Sequence, residues 1–230
     1  MEDTLRLEFN EWAKAGRGES MEHGHRPVGE QAIEKMLVPD DARVLDVGCG
    51  SGWASRLLAE KAGRGRVVGI DISDEMIRLA SESSADFANL SFRIASAERL
   101  PFENAEFTHA FSMESLYYYA DMSRALSEIR RVLVPGGLFV TVIDLYQENR
   151  PSHQWIEKLQ VPVQLLSTLQ YHTLFEQAGF VEIRDERILD PAPIIGEYTG
   201  TSFRSHEDYL EYRAAGSLML SGRAGGRAAK

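Results

Sequence analysis

Apolar residues follow two spacings along the chain, and the two alternate. Helical spacing occurs at 53–62, after Ser73 and at 126–133. Short apolar runs of strand length lie between these segments, at 44–47, 67–70, 90–94, 107–111 and 138–143. Because short buried strands alternate with amphipathic helices, the pattern predicts an α/β fold. Its sheet should be mostly parallel, with helices on both faces.

Both ends of the chain depart from this alternation. Helices are predicted at 4–15 and 28–37, separated by Gly16, Gly18 and a polar segment. We therefore expect an N-terminal helical cap at 1–40 and the main domain at 41–230. In the last third, helices at 167–178 and 207–214 and strands at 180–187 and 217–223 would complete the sheet. A substrate-side excursion is expected at about 190–215, and the tail 222–230 is expected to fray.

Composition narrows the partners and the location. The formal net charge is −10, which disfavours a nucleic-acid partner. The one cysteine, Cys49, allows neither an intramolecular disulfide nor a multi-thiolate metal site. No stretch reaches the ~20 apolar residues of a membrane span, and the first residues lack the pattern of a signal peptide. We expect a cytoplasmic protein with a small-molecule substrate and no metal site, and a homodimer is left open.

A glycine-rich turn after the first strand is the strongest chemical signal. Residues 46–52 read Asp-Val-Gly-Cys-Gly-Ser-Gly, and Asp71 ends the second strand nineteen residues after Gly52. Glycines let the backbone turn tightly and approach a ligand, and a carboxylate at Asp71 can accept both hydroxyls of a ribose. The dinucleotide fingerprint needs a glycine at position 53, where the chain has Trp53. A nicotinamide oxidoreductase is therefore disfavoured.

Three motifs resemble those of class I S-adenosylmethionine-dependent methyltransferases, of the type 11 and quinone C-methyltransferase kind. Residues 46–52 resemble motif I, and Val-Val-Gly-Ile-Asp-Ile-Ser at 67–73 resembles motif II. Ser-Ala-Glu-Arg-Leu-Pro-Phe at 96–102 is similar to the family's Asp-Ala-Glu-x-Leu-Pro-Phe, with Ser96 at the acid position. The resemblance implies a Rossmann-like seven-stranded sheet with strand order 3-2-1-4-5-7-6, and S-adenosylmethionine as the cofactor.

The resemblance also implies which residues hold the cofactor. Asp46 is expected to orient the loop or reach the methionine amino group, and the apolar side chain of Ile72 to contact adenine. Either Glu98 or the Ala97 backbone would replace the acid that Ser96 lacks. The remaining residues implied to bind the cofactor are Gly48, Gly50, Gly52 and Asp71. From the topology alone, Ser112 at the carboxyl end of the fourth strand joins this set, because ligands bind at that edge of such sheets.

Methyl transfer mainly requires that the acceptor atom be held near ~3 Å from the methyl group. If the acceptor is a hydroxyl or an enol carbon, a general base also helps. The candidates for that base are His23, His25, Tyr117 and Tyr118. The first two lie in Met-Glu-His-Gly-His-Arg at 21–26, which resembles a Gly-x-His-Arg stretch of quinone C-methyltransferases.

The predicted function is methylation of a small, apolar or aromatic metabolite. Methylation at carbon, oxygen or nitrogen stays open at this point. The N-terminal helices and residues 190–209 are predicted to form a lid, whose aromatic residues line the substrate pocket: Phe9, Trp12, Tyr198 and Phe203. The alternatives are a tRNA or protein methyltransferase and a non-catalytic protein that binds S-adenosylmethionine.

Overall fold

A seven-stranded sheet forms the centre of the computed structural model, which describes residues 2–226. The strands are β1 (Arg43–Val47), β2 (Arg66–Asp71), β3 (Leu90–Ile94), β4 (Phe107–Met113), β5 (Leu133–Ile143), β6 (Phe180–Ile188) and β7 (Ser217–Ala224). Their order in the sheet is β3-β2-β1-β4-β5-β7-β6, which confirms the predicted fold and strand order. The first five strands run parallel to one another, and β7 runs antiparallel to both β5 and β6.

Helices cover both faces of this sheet. The α-helices are α1 (Glu2–Lys14), α2 (Arg17–Lys35), α3 (Trp53–Lys61), α4 (Asp74–Glu82), α5 (Met122–Val132), α6 (Thr168–Gln177) and α7 (His206–Ala215). Successive strand residues point to opposite faces, so Leu45 and Val47 pack on the α5 side while Val44 packs on the α2 and α3 side. Burial of each such side chain contributes about 1.5–3 kcal/mol, which explains the continuous apolar runs in the sequence.

The N-terminal helices differ from the prediction. Only Gly16, with φ of 72°, interrupts the helical path. The polar segment 19–26 and Pro27 lie inside α2, although proline removes a helical hydrogen bond. The carbonyl left without that bond belongs to His23, which is exposed to water and can be hydrated there. Residues 28–36 contribute to the core beneath the sheet, so we propose that the cap proper is α1 with the first half of α2.

Three further segments differ from the sequence-based prediction. Two 3-10 helices, Leu116–Tyr118 and Arg150–Lys158, were not predicted. Strand β5 begins at Leu133, before the Pro-Gly-Gly turn, because Leu133 already pairs with Phe107. The predicted frayed tail is wrong for residues 222–224, which belong to β7, and residues 227–230 lie outside the described part.

The topology places the carboxyl end of β1 at the centre of the sheet. There β1 lies between β2 and β4, which is the switch point where open α/β sheets bind ligands. Helix α1 is fixed beside this point by Asn10, whose amide donates to Asp74 (2.8 Å) and accepts from Ser73 (2.6 Å). Among the helices of residues 2–226, none combines the length and apolarity needed to cross a membrane.

Candidate active site

The loop after β1 requires glycine at two positions for different contacts. Gly48 has φ of 75°, and a Cβ there would lie 2.5 Å from the Cβ of Ser115. Gly52 has φ of 79° directly before α3, and its Cβ would lie 2.8 Å from the ring of Phe92. Larger residues would therefore strain the backbone and displace neighbouring side chains. The loop lies close against β4 and β3 and leaves its other side open to a ligand.

Asp71 fixes this loop from the end of β2. Its carboxylate accepts hydrogen bonds from the backbone amides of Gly50 and Ser73, both at 2.9 Å. Burial raises the pKa of Asp71, and these amide hydrogen bonds partly offset that rise. The carboxylate is thus held in a fixed orientation at the edge of the cavity, where a ribose hydroxyl pair could reach it.

Asp46 is a nearly isolated buried acid. It is 1% exposed, and the Ser55 hydroxyl donates a hydrogen bond of 2.6 Å to its carboxylate. Burial, with a smaller contribution from the charge of Asp71, raises the pKa of Asp46 to about 7. A cationic ligand group beside Asp46 would favour the charged carboxylate, which suits the ammonium group of an amino-acid moiety.

These groups open into one cavity, whose empty volume of about 1080 Å³ includes the part that is open to solvent. It lies at the carboxyl ends of β1, β2 and β4, the edge of the sheet where a cofactor and an acceptor could meet. Nine of the predicted site residues line it: His25, Asp46, Gly48, Gly50, Asp71, Ile72, Ala97, Glu98 and Tyr118.

Four predicted site residues do not line this cavity. Gly52 lies behind the loop against Phe92. Ser112 is fully buried, and its hydroxyl shares a hydrogen bond with the hydroxyl of Ser115. Tyr117 is buried, with its hydroxyl turned to Glu114 (2.7 Å). His23 is exposed on the opposite side of α2, where it borders a separate surface groove. We therefore assign no direct ligand contact to these four residues.

The end of the cavity beyond Asp71 combines residues of α1 with the 96–102 motif. The Ser96 hydroxyl donates to the carboxylate of Glu2, and both residues line the cavity. The Glu98 carboxylate accepts from the Asp121 amide (3.0 Å), so it is engaged at the start of α5. A carboxylate is thus present beside Ser96, but it comes from the N-terminal helix rather than from the motif.

Of the two aromatic residues of α1 predicted to line the pocket, Phe9 lines the cavity and Trp12 does not. The Phe9 ring lies 5.0 Å from Tyr118 and 5.1 Å from Trp12, both edge to face. The predicted contribution of the 190–209 excursion is not found. Tyr198 and Phe203 instead pack on Tyr209 of α7, because the excursion folds back on its own C-terminal helix.

A cluster of His25, Glu114 and Asp144, which we call the polar pole, adjoins the cavity, and its first two residues line it. One ligand-type atom from each residue lies within 4.8 Å of the other two. Burial lowers the pKa of His25, whereas burial and the nearby Asp144 raise the pKa of Glu114. Both acids were missed in the sequence, although Asp144 directly follows the predicted strand at 138–143 and Glu114 directly follows the observed strand β4. A position just after a strand was the signal available in the sequence, because the carboxyl ends of parallel strands meet at the same edge of the sheet.

Comparisons with known proteins agree with this geometry. Residues 45–141 match a family model described as a methyltransferase domain. An O-methyltransferase of Aspergillus nomiae is 31% identical over 186 residues, which cover 76% of this chain and 82% of that protein. Demethylmenaquinone methyltransferase of Staphylococcus aureus is 26% identical over 213 residues, covering 81% of this chain and 83% of that protein.

A solved structure is also similar over nearly the whole length. It is a chain of the complex between the Haloferax volcanii Trm112 methyltransferase activator and a candidate methyltransferase. That chain superposes with a TM-score of 0.89 at 34% identity, covering 95% of this chain and 98% of its own length. Together with the sheet order, these relatives show that the chain belongs to the class I S-adenosylmethionine-dependent methyltransferases and is an enzyme that takes its methyl group from S-adenosylmethionine.

Proposed function

We propose that this enzyme methylates a small, largely apolar or aromatic acceptor at an oxygen or acidic carbon. The observation that supports this most directly is the contrast within the cavity. Leu5, Phe9, Met21, Met113 and Tyr118 form apolar walls, and the polar pole adjoins the cavity. Such a site favours an acceptor whose main body is buried by contact with apolar side chains and whose single polar atom is the reacting atom.

The chemistry required of the protein is modest. The methyl carbon leaves the sulfonium for the acceptor atom, the C–S bond electrons remain on sulfur, and the acceptor loses a proton. Helices α1 and α2 enclose the reacting atoms, which excludes water and fixes their approach. The acceptor's proton would leave at the polar pole. There His25 has a lone pair available, because burial lowers its pKa and favours the neutral ring.

Tyr117 and Tyr118 suit a different role from the general base first considered for them. Burial and the neighbouring Glu114 raise the pKa of both hydroxyls. Each therefore stays protonated near neutral pH and acts as a hydrogen-bond donor. Tyr117 already donates to Glu114, and Tyr118 contributes its ring to the wall beside Phe9.

A macromolecular acceptor is the alternative, and it has weaker support. The net charge of −10 opposes binding of tRNA, and a protein side chain would have to reach past α1 and α2. The chain belongs to a family of enzymes, and no observation favours the other alternative, a protein that binds S-adenosylmethionine without catalysis. A homodimer and a cytoplasmic location stay predictions.

The test is methyl transfer from S-adenosylmethionine labelled in its methyl group. Phenols, hydroxyquinones, enolisable ketones, bulk tRNA and a protein extract are offered in parallel. We expect label in the small organic fraction, and a rate loss of ~10²–10⁴-fold in His25→Gln. His23→Gln is the matched control, because it makes the same change on the exposed side of α2. Label found only in tRNA or protein would contradict the proposal.

The Haloferax match favours a second proposal, that this enzyme works with an activator subunit of the Trm112 type. The similarity spans 95% of the chain, so it includes surface as well as core. Co-expression with such a subunit, followed by size-exclusion chromatography with light scattering, is the test. We expect a one-to-one complex with higher specific activity than the chain alone. Separate elution and unchanged activity would refute this second proposal, and the same profile reports any homodimer.

A further inference from the structure

The polar pole is assembled from three distant parts of the sequence. Glu114 follows β4 and Asp144 follows β5, which are neighbouring parallel strands, so both acids stand at the same edge of the sheet. Helix α2 brings His25 over that edge. One imidazole and two carboxylates thus converge, with their ligand-type atoms within 4.8 Å of one another.

No positively charged group among residues 2–226 donates a hydrogen bond to the carboxylate of Glu114 or Asp144. Glu114 accepts from the Tyr117 hydroxyl and the Asp144 amide, and Asp144 accepts from the Tyr212 hydroxyl (2.9 Å). All of these donors, which are the ones found among residues 2–226, are neutral groups. Asp144 is 2% exposed, and its Oδ1 is buried without a hydrogen-bond partner. An unpaired buried carboxylate oxygen is costly, and a cation would remove that cost.

His25 is placed as a ligand rather than as a hydrogen-bond donor to these acids. Its ring faces both carboxylates, yet no hydrogen bond joins it to either in the part of the chain that the structure describes. The two tyrosine hydroxyls hold the carboxylates in orientation, as outer-shell groups do around metal ligands.

Glu114 shows a further sign of a specialised site. Its φ is 53° although it is not glycine, and such backbone strain is tolerated mainly where the surroundings enforce it, as at functional sites. In this conformation the Glu114 carboxylate accepts from the Tyr117 hydroxyl and lies near His25 and Asp144. His25 and Glu114 also line the cavity, so a coordination position would remain open on the side where the acceptor binds.

We propose that His25, Glu114 and Asp144 bind a divalent transition-metal ion, of which zinc is the first choice, that coordinates the acceptor oxygen. An imidazole among the ligands favours zinc-like ions over magnesium or calcium, and three protein ligands with an open position are typical of catalytic zinc sites. This inference rests on the proposed function and makes His25 a ligand rather than the proton acceptor. The ion lowers the pKa of the bound hydroxyl, whose proton passes to water at the cavity mouth before the oxygen attacks the methyl carbon.

The test measures metal binding directly, without an acceptor. The full chain is stripped with chelator, loaded with S-adenosylhomocysteine and titrated with zinc alone, then with manganese and magnesium, by calorimetry. We expect one zinc ion per chain, bound more tightly than magnesium. Asp144→Asn and His25→Gln should weaken zinc binding by more than the ~10–100-fold cost of losing an outer-shell group, whereas His23→Gln should not. Retained affinity for S-adenosylhomocysteine shows that each variant is folded.

Two results would overturn the metal site while leaving the proposed function intact. One is zinc binding that is absent, or equal in wild type and His25→Gln, which would mean surface binding only. The other is full methyl transfer by the metal-stripped enzyme, which would return His25 to the role of general base. Conversely, stoichiometric zinc binding that depends on the three residues, with no small acceptor methylated, would refute the proposed function alone.

Discussion

Cofactor binding should depend on pH through Asp46. The carboxylate is buried, accepts one hydrogen bond from Ser55, and has a pKa of about 7. We expect the ammonium group of the cofactor to lie beside it, and a neighbouring cation returns a carboxyl pKa towards its ordinary value of ~4. Binding must therefore remove a proton from the fraction of enzyme in which Asp46 is neutral, so affinity rises with pH up to about 8.

The magnitude follows from the fraction of Asp46 that is protonated. With a pKa of about 7 in the free enzyme, roughly ten of eleven molecules are protonated at pH 6 and roughly one in eleven at pH 8. The Kd for S-adenosylhomocysteine should thus be about tenfold higher at pH 6 than at pH 8, a difference of ~1.4 kcal/mol. Asp46→Asn should bind more weakly than wild type at pH 8 and lose this slope.

Calorimetry at pH 6, 7 and 8, in buffers with different ionisation enthalpies, measures both the Kd and the protons released on binding. Asp71→Asn is the control, because the pKa of Asp71 is also raised by burial. That variant should bind weakly yet keep most of the pH slope, because the charge of Asp71 contributes less than burial to the raised pKa of Asp46. A wild-type Kd that does not change between pH 6 and 8, or an equal slope in Asp46→Asn, would refute the reasoning.

The raised pKa of Asp46 also affects the stability of the cofactor-free protein. The folded-state pKa of Asp46 lies above its ordinary value of 3.8, so between ~4 and 7 the folded chain binds more protons than the unfolded chain. The contribution of this group to the free energy of unfolding therefore falls as pH rises through that window, by about 4 kcal/mol in all. This is the expected cost of keeping an acid ready for a cationic ligand.

Four further outcomes are expected. Asp71→Asn should weaken S-adenosylhomocysteine binding by about 30-fold or more in calorimetry, because hydrogen bonds to a charged group contribute ~1.5–3 kcal/mol each. Gly29→Ala should lower the free energy of unfolding in urea by about 1–2 kcal/mol, because its Cβ would lie 2.4 Å from the indole of Trp53. Phe9→Ala should raise the acceptor KM about tenfold in steady-state assays and leave the cofactor Kd unchanged, because its ring packs on the acceptor wall. Trypsin should cleave after exposed Lys14 more slowly with S-adenosylhomocysteine bound, and equal rates would exclude a lid role for α1.

Local signals in the sequence were enough to predict the half of the candidate site that we expect to bind the cofactor. The turn at 46–52 and Asp71 lie at the ends of adjacent strands, so a short motif and one spacing placed them together. The structure explains why this turn and Asp71 occur together. Gly48 has no room for a side chain beside Ser115, and the Asp71 carboxylate accepts a hydrogen bond from the backbone of the same loop. The position of β7 between β5 and β6 came only from the resemblance, and its antiparallel direction was not predicted, since no pattern within 217–223 distinguishes it from a parallel strand.

The acceptor half could not be predicted in the same way. His25, Glu114 and Asp144 are separated by long stretches of chain and meet only because α2 crosses the ends of β4 and β5. The helix predicted at 28–37 overlaps the second half of α2, but its start was predicted too late, because α2 begins at Arg17. A proline inside a helix removes one hydrogen bond, and here Pro27 lies where water can replace that bond. Tyr198 and Phe203 looked equally suited to line a pocket, but aromatic composition does not say against which helix a loop will fold.

The N-terminal helix links the two halves of the site. Helix α1 is attached to the cofactor side through Asn10, which bonds Ser73 and Asp74, and through Glu2, which accepts from Ser96. The same helix presents Phe9 to the acceptor side. Contacts that hold α1 against the residues expected to bind the cofactor therefore also place Phe9 at the wall expected to face the acceptor. A cofactor bound against these residues would add contacts that hold α1 in place, so we expect acceptor binding to be strongest once the cofactor is bound, and water to be excluded only from complexes that can react.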